Sequence, residues 1–278
     1  MGGSKSVVGI ADRRQLQISH NMIESTANKQ VRNLIQLIKK AKVRRETQTF
    51  VVEGIRMFRE VPKERLVQTY VSENFLEKQE NHEVLKGIHY EVMTDKVFAA
   101  VSDTQTPQGI LCVVRQKEYT LEEILKKEHP FLMILENLQD PGNLGTIFRT
   151  AEGAGVDGII MSSDTVDIYN PKTVRSTMGS LYRMPFFYEK DLKDAVKRIK
   201  EKKVSVYAAH LKGKQAYYLE NYRRGCAFLI GNEGNGLTDE LTALADTYIR
   251  IPMEGQVESL NAAIAAAVLM YEVKRQRD

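Results

Sequence analysis

Polar and apolar positions give the two halves of this chain different rhythms. From residue 131 onward short apolar runs recur, at 131–135, 158–161, 204–209, 226–230 and 248–251. They are apolar almost throughout, as strands covered on both faces must be. Between them the pattern predicts helices over 143–154, 171–182, 191–203, 237–245 and 259–274. Strand and helix in alternation predict a doubly wound α/β sheet, largely parallel.

The first half is less regular. Val31, Leu34, Ile35 and Ile38 stand at i, i+3, i+4 and i+7, which predicts an amphipathic helix over 28–41. Strands are expected at 49–52, 67–71 and 109–114, with a turn at Glu53-Gly54 and a helix from Ile55 to Glu60. These elements make a small α/β domain over 22–115. A linker follows at 116–129, expected to be helical from Glu118 to His129, and a second domain occupies 130–278. Residues 1–21 have little periodicity and read as a flexible leader without function.

Composition narrows the class only slightly. A chain of 278 residues, 42% hydrophobic, is long enough for two modest cores. A formal charge of +4 is compatible with a polyanionic partner without requiring one. Cys112 and Cys226 each sit inside an apolar run and read as small buried strand residues in a reducing compartment. The longest apolar run is far too short to span a bilayer, so a cytoplasmic location is expected.

Three strand-to-loop junctions carry the candidate chemistry. After 131–135 come the turn residues Asp140, Pro141 and Gly142, then a helical stretch bearing Asn143 and Arg149. After 226–230 comes Gly231-Asn-Glu-Gly-Asn-Gly236. After 248–251 comes Pro252-Met-Glu-Gly255, with Ser259-Leu-Asn261 opening an alanine-rich helix. One such loop is an ordinary tight turn. Three together, each with glycines that let backbone approach a ligand, point to a binding edge.

These residues resemble the SpoU (TrmH) family of the SPOUT superfamily of RNA methyltransferases. The resemblance rests on Asn143-x-Gly145-x-x-x-Arg149-x-Ala151, then Ile230-Gly-Asn-Glu-Gly-x-Gly-Leu237, then Ile251-Pro-Met-x-Gly-x-x-x-Ser-Leu-Asn261. Asn170-Pro-Lys-Thr-Val-Arg175-Ser-Thr-Met-Gly179 is similar to the family's stretch between the first two motifs. One departure is Ala262-Ala263, where members often carry Val-Ser; it touches packing more than chemistry.

The resemblance implies a SPOUT α/β-knot, a deep trefoil knot that general folding rules would not have suggested. It also implies a small L30e-like α/β domain ahead of the knot that binds substrate RNA. The implied reaction is methyl transfer from S-adenosylmethionine to a ribose 2′-hydroxyl, most of all in large-subunit ribosomal RNA because of that extra domain. The implied cofactor contacts are Ile230, Gly231, Asn232, Gly234, Gly236, Ile251, Met253, Gly255, Ser259 and Leu260. The implied catalytic set is Asn143, Arg149, Glu233, Ser259 and Asn261. A guanidinium resists deprotonation, so Arg149 is read as a phosphate clamp that orients the hydroxyl and stabilises developing alkoxide charge. Asn143 is expected to hold Arg149 or the ribose, and Glu233 to anchor the second loop or a partner arginine. Ser259 and Asn261 are expected to fix the nucleotide at a helix start. No metal is expected, since the five histidines show no zinc-site spacing.

Two further expectations concern partners. Lys29, Arg32, Lys39, Lys40, Lys42, Arg44 and Arg45 form a run without an acid among them, suited to RNA phosphates or merely a solvated face. Lys172 and Arg175 in the fourth segment are further candidates for RNA contact. The last helix is apolar nearly all round and Ala-rich, which predicts a homodimer through the C-terminal domain. Other readings remain: a tRNA methyltransferase, a non-catalytic RNA-binding protein retaining the fold, or a nucleotide-dependent dehydrogenase. The dehydrogenase is disfavoured because Gly231-x-x-Gly234-x-Gly236 reverses the dinucleotide fingerprint and lies late in the chain.

Overall fold

A computed structural model describes residues 22–210, 213–257 and 259–278; the expected leader at 1–21 lies outside the described residues. The first sheet holds β1 (Thr49–Glu53), β2 (Leu66–Ser72), β3 (Tyr90–Met93) and β4 (Ile110–Arg115), in the order β1-β4-β2-β3. β4 runs antiparallel to β1 and β2, while β2 and β3 are parallel. Strand alternation splits the side chains between two faces. Val51, Tyr70, Leu111 and Val113 pack with Val31, Leu34, Val97 and Phe98 from the helices Lys29–Lys39 and Asp95–Val101. Phe50, Val52, Val71, Cys112 and Val114 face the other way, into a core continuous with the second half.

The second sheet holds β5 (Phe131–Leu135), β6 (Gly158–Ser162), β7 (Phe186–Glu189), β8 (Ser205–Ala209), β9 (Gln215–Ala216), β10 (Cys226–Ile230) and β11 (Thr247–Arg250). The order is β7-β6-β5-β10-β8-β11-β9, and every pairing is parallel. Helices cover both faces, as the apolar runs require. Leu132, Ile134, Ile160, Val206 and Leu229 pack on the helix Leu192–Glu201. Met133, Leu135, Met161 and Phe228 pack with the helices Pro141–Ala154 and Ala262–Arg277. From β5 the chain moves outward through β6 to β7, then crosses back to β8, and only later lays β10 between β5 and β8. The winding reverses at the β5–β10 pair, and in such sheets ligands bind outside the carboxyl ends of the strands at that point.

Several helices depart from their expected extents for local reasons. The helix expected at 28–41 stops at Lys39; Lys40 is extended and a second helix, Ala41–Thr47, follows. The expected linker helix shrinks to Leu121–Ile124, held by a capping box between Thr120 and Glu123, with Leu121 and Ile124 buried against the sheet. Helix 171–182 breaks after Ser176, because Met178 and Gly179 take positive φ (51° and 95°) before a 3-10 turn at Ser180–Tyr182. Helix 237–245 is only Asp239–Thr242. The last helix begins at Ala262 instead of 259 and runs to Arg277.

The two sheets are joined through side chains on 167–183. Arg44, 3% exposed, donates Nε and Nη2 to Asp167 at 2.9 and 2.7 Å. Its Nη1 donates to the carbonyls of Leu37 and Ile38 at 2.6 and 2.9 Å, satisfying acceptors left open at a helix end. Arg183 reaches Glu60 Oε2 at 2.8 Å and also clasps Glu152. The Tyr182 hydroxyl donates to the Met57 carbonyl at 3.3 Å.

Candidate active site at the carboxyl edge

The helix carrying Asn143 starts earlier than expected. Pro141 takes its first position and Asp140 is the cap, its Oδ1 accepting from the Asn143 backbone N–H at 2.7 Å. Asn143 is therefore inside the first turn. Next to it the 231–236 loop folds on itself. Asn232 and Gly236 exchange backbone hydrogen bonds at 3.0 and 2.9 Å, and Asn232 Oδ1 accepts from the N–H groups of Gly234 and Asn235. Asn232 Nδ2 donates to the Asn137 carbonyl at 2.7 Å, pinning this loop to the one after β5. A Cβ at Gly231 would run into the backbone of Gly236 and Leu237, so only glycine closes this turn.

Glu233 reaches across from that loop. Its carboxylate accepts from the backbone N–H groups of Gln139 and Asp140 and from Asn143 Nδ2, each at 3.1 Å. Partial burial alone would raise its pKa, but the Asn143 amide and the two backbone donors outweigh that, and the carboxyl sits below its ordinary value. On its other side Asn143 Oδ1 accepts from Asn261 Nδ2 at 3.0 Å. Asn261 Oδ1 in turn accepts from the N–H groups of Ala263 and Ile264 and caps the last helix. Asn261–Asn143–Glu233 thus link the three glycine-bearing loops by side chains.

That arrangement excludes one of the two roles expected of Asn143 and moves the start of the last helix. Asn143 does not hold Arg149: its amide lies between Glu233 and Asn261, and Arg149 is six residues on, roughly 9 Å along the helix axis. Arg149 is exposed and makes no hydrogen bond or ion pair with the described residues. The helix start belongs to Asn261, and Ser259 stands exposed two residues before it.

A second clasp escaped the sequence reading. Glu136 accepts from Thr238 N and Thr238 Oγ1 at 2.8 and 2.7 Å, closing the far end of the 231–236 loop onto β5. Its only sequence signal is Thr238 as the cap of Asp239–Thr242.

The remaining loop residues suit a ligand held by backbone and apolar side chains. Ile230 is buried, Ile251 and Leu260 are half-buried, and Met253 is 37% exposed. Gly234, Gly236 and Gly255 are exposed; at Gly236 and Gly255 a Cβ would meet nothing within 4 Å, so the backbone there is open to approach. No group of three or more His, Cys, Asp or Glu side chains among the described residues could hold a metal ion.

The expected RNA-contact residues divide. Arg44 is removed from that set, because it is buried and its donors are spent on Asp167 and two carbonyls. Lys29, Arg32, Lys39, Lys40 and Arg45 stay exposed, while Lys42 faces Glu46 at 3.8 Å in a solvent-exposed pair. Lys172 is exposed; Arg175 is paired with Asp103 at 2.8 Å.

Comparison with known proteins places this geometry in a family. Residues 130–271 match the SpoU rRNA Methylase family, and residues 28–112 match the MRM3-like substrate binding domain. The chain is 34% identical over 255 residues to the 23S rRNA (guanosine(2553)-2'-O)-methyltransferase RlmP of Bacillus subtilis, covering 91% of this chain and 98% of that one. An AdoMet-bound rRNA methyltransferase from Sinorhizobium meliloti superimposes with a TM-score of 0.80 at 30% identity, over 91% of this chain and 97% of the other. The SpoU methyltransferase AviRb from Streptomyces viridochromogenes, solved with the cofactor AdoMet, gives 0.81 at 25% identity over 90% and 98%. The protein belongs to the SpoU rRNA Methylase family.

Proposed function

We propose that this enzyme transfers a methyl group from S-adenosylmethionine to a ribose 2′-hydroxyl of 23S ribosomal RNA. The observation that carries the reading is the Asn261–Asn143–Glu233 chain. It draws three loops together at the carboxyl edge of the sheet, while Arg149, on the same helix as Asn143, stays exposed with no partner among the described residues. The relatives whose names record 2′-O-methylation of 23S rRNA, and the AdoMet-bound structures, support the substrate and cofactor.

The bound cofactor supplies an electrophilic methyl on a sulfonium, whose leaving group is a neutral thioether. Backbone of Gly231, Asn232, Gly234, Gly236 and Gly255, with Ile230, Ile251, Met253, Ser259 and Leu260, would hold it. Apolar walls and backbone dipoles fit a reaction in which positive charge disperses. Arg149 grips the phosphate beside the target ribose, orients the hydroxyl and stabilises oxygen charge as the proton leaves to phosphate or solvent. Asn143, Glu233 and Asn261 set the relative position of the loops and of the Arg149 helix.

In this reading residues 22–115 form the RNA-binding domain, 116–129 the connection and 130–278 the catalytic domain, whose loops make the trefoil knot. The protein works as a homodimer in the cytoplasm, where ribosomes are assembled. Ile264 and Tyr271, 51% and 52% exposed, leave an apolar stripe on the last helix for the partner. Light scattering should give twice the monomer mass of 31.6 kDa. The direct test is incorporation of labelled methyl from S-adenosylmethionine into a 23S rRNA transcript and, in parallel, into bulk tRNA. Label in the 23S transcript alone supports the proposal; label in tRNA alone overturns its substrate.

A further inference from the structure

The seam between the two halves carries exposed cations that have no partner among the described residues. The short helix Ile55–Arg59 buries Met57 and Phe58 and exposes Arg56 and Arg59 on its other face. Neither arginine has a hydrogen bond or ion pair with the described residues. The helix is bolted to the catalytic half at its far end. Met57 O accepts from the Tyr182 hydroxyl, and Glu60 accepts from Arg183 at 2.8 Å. Arg183 also clasps Glu152, one turn beyond Arg149 on the same helix. One turn before Arg149, Gly145 lies so close to Ser176 that a Cβ could not fit, which sets Arg149 alongside the helix bearing exposed Lys172.

The carboxylates of this seam are already occupied. Glu60 and Glu152 share Arg183, and Asp103 is paired with Arg175. Glu53 accepts from Ser102 Oγ, Thr104 Oγ1 and the Asp103 N–H at 2.5, 2.8 and 3.1 Å. Arg56, Arg59, Lys172 and Arg149 have no acidic partner among the described residues. Glu60 and Glu152 share one arginine and Glu53 bonds only neutral donors, so these acids keep part of their negative charge. The four exposed cations outnumber that remainder and leave the local field positive; guanidinium forks suit phosphate oxygens.

We propose that Arg56 and Arg59 form a phosphate-binding lip that carries the RNA backbone across the seam from the N-terminal domain to Arg149. The proposal rests on the methyltransferase reading above and adds to it where the RNA strand runs. Such contacts position the strand without reading its sequence. Because Glu60 and Arg183 fix the lip relative to the Arg149 helix, RNA held by the lip is already in register with the catalytic centre.

The test is filter binding of a 23S rRNA transcript to the full chain across a salt series, followed by methyl-transfer kinetics. The double variant Arg56→Gln, Arg59→Gln should bind about tenfold more weakly or worse. Its plot of log affinity against log salt should be shallower by about 1.4 to 1.8, the range for two lost phosphate contacts. KM for RNA should rise while the rate at saturating RNA recovers, with cofactor affinity and unfolding temperature unchanged. Arg223→Gln with Arg224→Gln, exposed at the opposite edge of the catalytic sheet, makes the same charge change and should leave all of these alone. An unchanged salt slope in the first double variant, or an equal loss in the second, overturns the lip. Methyl transfer absent from the wild type would fail the methyltransferase reading instead, and the binding series would still decide the lip.

Discussion

Asn261 Nδ2 lies 3.0 Å from Asn143 Oδ1, joining two residues 118 positions apart. Asn261 does two jobs at once, since its Oδ1 also caps the last helix. The jobs can be separated. Asn261→Ala loses both, and the missing cap should cost about 1 kcal/mol of stability. Asn261→Asp keeps the capping oxygen but turns an acceptor toward Asn143 Oδ1. Activity should fall by about tenfold or more in both variants, while unfolding temperature falls only in the alanine variant. Full activity in Asn261→Asp would show that the link does not position the site.

Glu233 makes the site sensitive to acid. Its carboxyl is held below the ordinary 4.5 despite partial burial, because three donors favour the charged form. A depressed pKa contributes stability that is fully present above the unfolded value and is lost as pH falls through the folded one. Wild type should therefore unfold at a higher temperature than Glu233→Gln at pH 7, with the gap closing below pH 4.5. A gap that persists undiminished to pH 3 would contradict this account.

Gly231 and Gly234 offer a matched pair in one loop. A methyl at Gly231 meets the backbone of Gly236 and Leu237, whereas at Gly234 it meets only Asn232 Oδ1 at an ordinary 3.5 Å. Calorimetric titration with S-adenosylmethionine should show affinity largely lost in Gly231→Ala and far better kept in Gly234→Ala. Equal losses would mean that loop closure does not shape the cofactor site.

Within the basic run of 29–45, burial predicts opposite phenotypes for neighbours. Arg44→Gln breaks a pair in which the Arg44 side chain is 4% exposed and Asp167 24%. It should cost about 3 kcal/mol and lower the unfolding temperature by roughly 5–10 °C. Lys39, Lys40 and Lys42 changed together to Gln should leave stability within about 0.5 kcal/mol and flatten the salt dependence of RNA binding by about 2.1 to 2.7. An unchanged slope would make the run a solvated face.

The parallel sheet was legible because both-sides-buried strands such as Cys226–Ile230 carry their signal in consecutive apolar residues. β7 was not, since Phe186–Glu189 at the sheet edge is only partly covered and has no such run. The three loops could be read from their glycines and asparagines. Their mutual wiring could not, because Glu233, Asn143 and Asn261 meet only after the sheet brings distant loops together. Arg44 misled for the same reason: its acid partner, Asp167, is 123 residues away.

The central claim is that Arg149 acts on a ribose hydroxyl of RNA and not on the cofactor. The most direct measurement is mass spectrometry of nucleosides from a 23S rRNA transcript incubated with S-adenosylmethionine and either wild type or Arg149→Ala. Wild type should yield one 2′-O-methyl nucleoside. Arg149→Ala should yield none while binding the cofactor with unchanged affinity, and Arg149→Lys should be severely impaired because a point charge cannot replace the fork. A methylated base in place of a methylated ribose, or product from Arg149→Ala at the wild-type rate, would contradict the account.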